Sequence, residues 1–397
     1  MLKGKTVVLG VTGSIAAYKI ANLASSLVKL HADVHVIMTK NATNFINPIT
    51  FETLTNNKCL VETFDRNFQF HVAHVSLADK ADVALIAPAS ANIIAKMAYG
   101  LADDMLSTTI LAMKCPVIVS PAMNVNMFQN PVVQDNIERL KQYGKTVIPP
   151  ATGYLACGTV GEGKMPSEEV LLDYILKEIA CEKDLVGKKV MVTAGPTRES
   201  LDPVRFITNH STGKMGYAIA RQAMLRGADV TLISGPVSIT PPPFVNVINV
   251  VKAQDMFEAV RDNYEAQDFI IKSAAVADYT PLEEKTEKIK KNNGEMVLEL
   301  GRTQDILGWL GKNKKENQIV CGFSMETENV LENSRAKLAK KGADFIAANC
   351  LKEAGAGFGT DTNHLYLIGK ETEVDLPMMS KVEAANCLLD ELIKSVK

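Results

Sequence analysis

A chain of 397 residues, 47% hydrophobic and 22% charged, has the length of two or three domains at about 150 residues each and the composition of a folded globular protein, which excludes disordered, fibrous and disulfide-knot classes. Lysine and arginine total 43 against 45 acidic residues, for a net charge of −2, so neither a nucleic acid nor an anionic membrane is an expected partner. Seven scattered cysteines with no C-x-x-C pair give neither a disulfide framework nor a zinc site and suit a reducing compartment.

The opening MLKGKTVVLG has no apolar leader stretch, and no later apolar run approaches the roughly 18 residues of a membrane span. A cytoplasmic protein is expected. Thr6 to Leu9 reads as a buried strand, Gly10 to Ser14 as a loop, Ile15 to Leu30 as a helix and Val34 to Met38 as a second strand, which together form a β-α-β unit. Further buried strands are expected at Val83 to Ile86, Val117 to Val119 and Val147 to Ile148, giving a parallel sheet covered on both faces. Near residue 181 the chain turns polar, and the same pattern restarts: a strand at Lys189 to Thr193, a helix at Tyr217 to Arg226 and a strand at Val230 to Ile233. HADVHVIMT (31–39) and GADVTLISG (227–235) occupy equivalent places in the two halves. The expected fold is therefore α/β with two Rossmann-like domains, residues 1–185 and 186–397. Later strands are expected at Phe269 to Ile271, Val320 to Phe323 and Phe345 to Ala347, with an edge-proximal one at Leu365 to Ile368. PPP at 241–243 and the charged stretch 283–295 read as loops, the second long enough for a mobile flap.

Gly10, Gly13 and Ser14 stand where the first strand meets the first helix, a place that favours an anion through free backbone N–H groups and the helix dipole. The spacing lacks the third glycine of a dinucleotide fingerprint and the Lys-Ser/Thr of a P-loop, so a phosphomonoester fits better than a pyrophosphate. A tight turn alone would also account for these glycines. PAMNVNMF (121–128) follows a buried strand and places an amide, Asn124, at a carboxyl strand end, where open α/β sheets bind ligands. Its methionines are equally ordinary core filling. GYLACGTVGEGKMP (153–166) can bury little and reads as a flexible lid carrying Cys157. His74 is a candidate acid or base, although a lone histidine is more often structural.

In this order, GVTGSIAAYK, HVSLA, APASANIIAK, PAMNVNMF and the GYLACG lid resemble the flavin-dependent cysteine decarboxylases that act on 4′-phosphopantothenoylcysteine. The resemblance implies FMN held by Gly13, Ser14, Ile15, Thr39 and Ser90. It also implies His74 as active-site base, Asn124 as the holder of the substrate carboxylate and Cys157 as proton donor. Phe128 stands where that family usually has tryptophan, so altered packing is expected there without loss of activity. A neutral amide suits the carboxylate-binding role, because a cation would stabilise the anion that must disappear in the transition state.

In the second half, a long polar loop (194–216) carries Asn209, Ser211, Thr212, Gly213 and Lys214 into a helix, and SAAVADY (273–279) and KIKK (288–291) follow. A solvated loop and a solvated charge run are the plain alternatives. Together with VCGFSMET (320–327), these motifs resemble phosphopantothenate–cysteine ligase of the bacterial, cytidylate-forming type, over residues 186–397. The resemblance implies nucleotide contacts at Ala274, Asp278, Lys288, Asp305, Ile306, Phe323, Lys337 and Lys341, with Asn209 acting on an acyl-cytidylate, CTP as co-substrate and Mg²⁺ as cofactor. AGP (194–196) and RTQDIL (302–307) depart from the usual family runs. Lys337 and Lys341, four apart, share a helical face and are expected to meet the triphosphate together.

Joined in this order the two halves resemble the bifunctional coenzyme A biosynthesis family, which implies small-molecule substrates and a homododecamer. A nucleotide-sensing binding protein would keep the glycine loops but need neither Cys157 nor Lys288. A nicotinamide dehydrogenase would need a dinucleotide fingerprint and an acidic residue about 20 positions beyond it.

Overall fold

The computed structural model describes residues 1–64, 73–154, 158, 160–290, 296–326, 328–350, 352–353 and 355–395. They fall into two compact units, Met1–Glu182 and Lys183–Lys397.

The first unit is built on β1 (Thr6–Val11), β2 (Asp33–Met38), β3 (Val83–Ala89), β4 (Val117–Pro121) and β5 (Thr146–Val147), all parallel in the order β2-β1-β3-β4-β5. Every residue of β1, β3 and β4 is buried, which is why these strands read as continuous apolar runs without alternation. One face is covered by α1 (Lys19–Lys29) together with a C-terminal helix described below. α1 buries Ile20, Leu23, Ala24 and Leu27, a stripe at helical spacing, worth roughly 1.5–3 kcal/mol for each large side chain. The expected helix from Ile15 begins instead with a 3-10 turn, Ile15–Tyr18, and α1 continues from it. α2 (Pro48–Thr55) packs on α1. The opposite face carries α3 (Ala73–Lys80), α4 (Ala91–Tyr99) and α5 (Met105–Ala112), then the short α6 (Val125–Phe128) and α7 (Pro131–Gln142), around a core that includes Ile86, Ile94, Leu106 and Ile137. Capping sets the helix limits: Ser90 accepts from the Ile93 N–H, and Gly100 ends α4 in the left-handed conformation.

The glycine-rich run expected to be a flexible lid contains a two-stranded antiparallel ribbon, β6 (Ala151–Tyr154) with β7 (Val160–Lys164). α8 (Glu168–Ile179) then returns to cover β3 and β4 beside α1.

The second unit carries an eight-stranded sheet. Its strands are β8 (Lys189–Ala194), β11 (Asp229–Ser234), β12 (Asn246–Asn249), β13 (Phe269–Lys272), β16 (Ile319–Glu326), β17 (Phe345–Cys350), β18 (Thr362–Gly369) and β19 (Glu373–Ser380). The order is β12-β11-β8-β13-β16-β17-β18-β19; the first six run parallel, and β18 is antiparallel to both of its neighbours, β17 and β19. Leu365 to Ile368 is thus penultimate, with β19 forming the edge. Two small ribbons lie outside the sheet: β9 (Arg198–Ser200) with β10 (Phe206–Thr208), and β14 (Tyr279–Pro281) with β15 (Leu300–Arg302). One face packs α10 (Ala253–Asn263), α11 (Ile306–Asn313) and α12 (Val330–Lys341) around a core that includes Ile270, Leu307, Val320 and Ile346. The other packs α9 (Lys214–Leu225) and α13 (Lys381–Lys394), which touch each other.

Candidate active sites

In the first unit the order β2-β1-β3-β4-β5 reverses direction between β1 and β3, the point at which sheets of this topology open a crevice at their carboxyl ends. The residues there are joined by Thr12, a buried side chain that sequence reasoning passed over. Its hydroxyl donates to the Pro88 carbonyl (2.6 Å) and accepts from the Ser90 N–H (3.0 Å). One side chain therefore ties the loop after β1 to the loop after β3. Thr39 joins them from the end of β2, since its N–H donates to the Val11 carbonyl (3.0 Å) and its hydroxyl caps the Ala42 N–H (3.3 Å). Gly13 abuts the same loop: a Cβ there would lie 2.8 Å from Asn41 Cβ. Ser14 caps the following turn through the Ala16 N–H (3.4 Å), and Ile15 projects into solvent. Gly13, Ser14, Ile15, Thr39 and Ser90 thus gather at the carboxyl ends of three adjacent strands.

Asn124 lies at the end of β4 on the rim of a cavity of about 450 Å³ that is also lined by Ser14, Ile15, Tyr18, Tyr154 and Lys164. As N-cap of α6 its Oδ1 accepts from the Asn126 N–H (2.9 Å), which fixes how the amide is turned. Phe128 is partly buried against the core, as is Met123, whereas Met127 is exposed. The ribbon β6–β7 docks directly on the asparagine loop, with the Met123 N–H donating to the Gly163 carbonyl (3.0 Å). Gly163 has φ +124°, and a Cβ there would stand 2.5 Å from the Met123 carbonyl oxygen, so only glycine permits this approach. Cys157 falls in sequence between the two strands and lies outside the described residues. His74, half-buried in the first turn of α3, is not among the residues lining this cavity.

In the second unit the site residues again cluster at carboxyl strand ends. The AAVADY loop leaves β13 and is stitched to the loop after β8. The Ala274 N–H donates to the Thr193 hydroxyl (3.2 Å), the Ala277 N–H to the Thr197 hydroxyl (3.0 Å) and the Ala275 N–H to the Gly195 carbonyl (3.0 Å). The Asn209 amide donates to the Ala275 carbonyl (2.9 Å), which holds the polar loop beside AAVADY. Asp278 is exposed at that loop's end. Asp305 caps α11 by accepting from the Gly308 N–H (3.0 Å) and pairs with Lys341 (2.6 Å). Its burial favours the neutral acid, but the lysine and the cap outweigh that and lower its pKa. Lys337, one turn before Lys341 on α12, donates to the Phe323 carbonyl (3.2 Å) and the Ser324 hydroxyl (3.0 Å). Loss of hydration lowers its pKa. Ala274 and Ile306 are buried, so only their backbone can meet a ligand.

Within the charged stretch expected as a mobile flap, Ile289 is held in place. The fully buried Asp202 carboxylate accepts from the Val204, Arg205 and Ile289 N–H groups (2.8, 2.9 and 3.1 Å) and from the Arg205 guanidinium. Arg205 in turn donates to the Ile289 carbonyl (2.9 Å). These bonds, the arginine's first, hold the Asp202 carboxyl far below the usual range. The residue after Lys288 is thus clamped through its own N–H and C=O, while Lys288 is exposed. Residues 291–295, including Lys291, lie outside the described residues.

Residues 1–180 match the Flavoprotein family, and residues 185–396 match the DNA/pantothenate metabolism flavoprotein C-terminal domain. The chain is 48% identical over 396 residues to the coenzyme A biosynthesis bifunctional protein CoaBC of Bacillus subtilis (strain 168), covering 99% of this chain and 97% of the relative. It is 41% identical to the protein of that name from Haemophilus influenzae, covering 99% and 98%. The solved C-terminal domain of a CoaBC protein is 42% identical, covering 54% of this chain and 98% of its own, with a TM-score of 0.47. The chain belongs to the coenzyme A biosynthesis bifunctional protein family. Like its family, it is a two-activity enzyme of coenzyme A biosynthesis, with a flavoprotein decarboxylase half and a ligase half. Among the described residues no helix is long and apolar enough to cross a membrane.

Proposed function

We propose that the second unit couples 4′-phosphopantothenate to cysteine with CTP, and that the first decarboxylates the product to 4′-phosphopantetheine with FMN. Full-length kinship to the bifunctional family, coinciding with two separate strand-end sites that hold Ser14, Ile15 and Asn124 in one half and Asp305, Lys337 and Lys341 in the other, is the observation that supports this reading.

An amine and a carboxylate at neutral pH form a salt and not an amide, so the carboxylate must be activated. It attacks the α-phosphate of CTP, releasing pyrophosphate and leaving an acyl-cytidylate, from which the cysteine amine displaces CMP. Lys288, Lys337 and Lys341 offset the charge that builds on the departing phosphates, and Asn209 positions the acyl-cytidylate. The clamp on Ile289 keeps Lys288 presented. Mg²⁺ travels with the triphosphate and needs one or two protein carboxylates; Asp278, exposed beside the lysines, suits that role.

In the first unit the crevice between β1 and β3 fits a flavin mononucleotide. Gly13 lets the loop after β1 lie against Asn41, Ser14 and Ile15 begin the turn that follows, and Thr39 and Ser90 flank it at the ends of β2 and β3. FMN supplies a reversible two-electron sink that makes loss of CO₂ feasible. Asn124 orients the substrate carboxylate without trapping it, His74 serves as base and Cys157 supplies the proton to the product. The chain acts in the cytoplasm as a homododecamer. Exposed Tyr99, Leu101, Leu111 and Tyr143 around a groove of about 460 Å³ on the first unit support self-association.

Turnover of the Cys157→Ser and Lys288→Gln variants tests the reading. Each abolishes one half-reaction and spares the other, and the purified wild-type protein shows flavin absorbance. If both variants kept both activities, the assignments would be wrong.

A further inference from the structure

Lys272 is the last residue of β13, between β8 and β16 in the middle of the large sheet, where it stands level with Thr193 and Gly322. The preceding residues, Ile270 and Ile271, are wholly buried, and a strand made only for stability would continue with another apolar side chain. The charged groups around the lysine come from every neighbouring element: Lys337 and Lys341 on α12, Asp305 at the cap of α11 and Asp278 in the loop after β13. Glu326, at the end of β16, faces Lys337 and accepts from the Ser324 hydroxyl (2.7 Å).

These groups are unequally partnered. Lys341 pairs with Asp305, and Lys337 binds a carbonyl and a hydroxyl. Among the described residues, Lys272 alone of the three has a side chain that makes no hydrogen bond or ion pair. A half-buried cation beside two others is unfavourable unless an anion joins it. Burial first, and repulsion from Lys337 second, push its pKa down to about 8. An arrangement that disfavours its own charge when empty is one that an incoming polyanion relieves.

We propose that Lys272 is a further phosphate-binding cation of the ligase half, meeting the nucleotide triphosphate together with Lys337 and Lys341. The proposal rests on the reading of this half as a CTP-dependent ligase. It also implies that CTP binding draws in protons at alkaline pH, because burial and the neighbouring lysines lower the Lys272 pKa and the phosphates raise it again.

Calorimetry of Mg–CTP binding to the full chain at pH 8, in two buffers of different protonation enthalpy, tests this. The wild type takes up a measurable fraction of a proton per nucleotide. Lys272→Arg keeps its affinity within a few-fold but takes up none, because a guanidinium is charged throughout. Lys272→Met binds at least about tenfold more weakly, the worth of one charge-assisted hydrogen bond, and releases pyrophosphate more slowly in the absence of cysteine. Decarboxylation of supplied phosphopantothenoylcysteine serves as the control for folding. CTP affinity and proton uptake unchanged in Lys272→Met, in a protein that still ligates, would overturn the Lys272 assignment and leave the ligase reading standing. A wild type that neither binds CTP nor releases pyrophosphate would overturn both.

Discussion

Replacing Gly163 by alanine should undock the β6–β7 ribbon from the asparagine loop without disturbing the rest of the first unit. Two costs combine. A side chain at φ +124° is worth about 1–3 kcal/mol of backbone strain. The new Cβ, 2.5 Å from the Met123 carbonyl oxygen, also forces out the bond from the Met123 N–H to Gly163, worth about 0.5–1.5 kcal/mol. The blocking atom is backbone on a loop fixed by β4, so it cannot swing aside as a side-chain tip would. Together these reach roughly 2–4 kcal/mol, or about thirty- to several-hundred-fold in the docked population. Tyr154 and Lys164 on the ribbon line the cavity beside Asn124, so kcat/KM for decarboxylation falls at least about tenfold. Pyrophosphate release with phosphopantothenate and CTP stays at the wild-type rate. Gly4→Ala is the control, since Gly4 has φ +81° but nothing within 4 Å of a new Cβ. It lowers Tm through backbone strain alone and leaves decarboxylation intact. Wild-type decarboxylation by Gly163→Ala, with undiminished hydrogen-exchange protection of the Met123 amide, would refute the reasoning.

Three further outcomes are expected. Thr12→Val removes the link between the loops after β1 and β3 and leaves the Ser90 N–H without its acceptor, costing about 1–3 kcal/mol; flavin per chain after dialysis falls, while ligation continues. Asp202→Asn loosens the clamp on Ile289, so KM for CTP rises several-fold and trypsin cuts near residues 285–290 sooner, with decarboxylation unaffected; unchanged cleavage would show that the strap does not depend on Asp202. His364, with Glu353 on Nδ1 (2.8 Å) and Asp375 on Nε2 (2.6 Å), has its pKa raised: burial opposes protonation, but the two carboxylates outweigh it. A raised histidine pKa stabilises the fold fully below the ordinary value of 6.5 and loses that effect as pH climbs through the folded value. His364→Gln therefore lowers Tm at pH 6 and has little effect at pH 9, and an equal loss at both would contradict the assignment.

Much of this architecture is legible in the chain because buried parallel strands must be apolar throughout. TVVLGV, VALIAPA and VIVSP announce themselves, and the cavity-lining Asn124 follows one of them directly. What escaped reading lacks that signature. NVIN at 246–249 is too short and polar to stand out, and EVDLPMMS at 373–380 contains a proline, which an edge strand tolerates. Gly161 and Gly163 lie against Val125 and Met123 of the asparagine loop, so two of the glycines that suggested slackness serve close docking. KIKK looks like a solvated charge run until Asp202, more than 80 residues earlier, is found holding Ile289. Thr12 and Lys272 each sit at the end of an apolar strand, and their importance depends on partners that only the fold brings near. Of the residues expected in the first-unit site, Ser14, Ile15 and Asn124 line one cavity.

The most direct test of the whole account supplies the intact chain with 4′-phosphopantothenate, cysteine, CTP, Mg²⁺ and FMN and follows pyrophosphate, CO₂ and 4′-phosphopantetheine together. The account predicts that all three appear in equal amounts, and that omitting cysteine stops CO₂ release. Release of CO₂ from free cysteine without CTP, or accumulation of the coupled acid with no CO₂ at all, would contradict it.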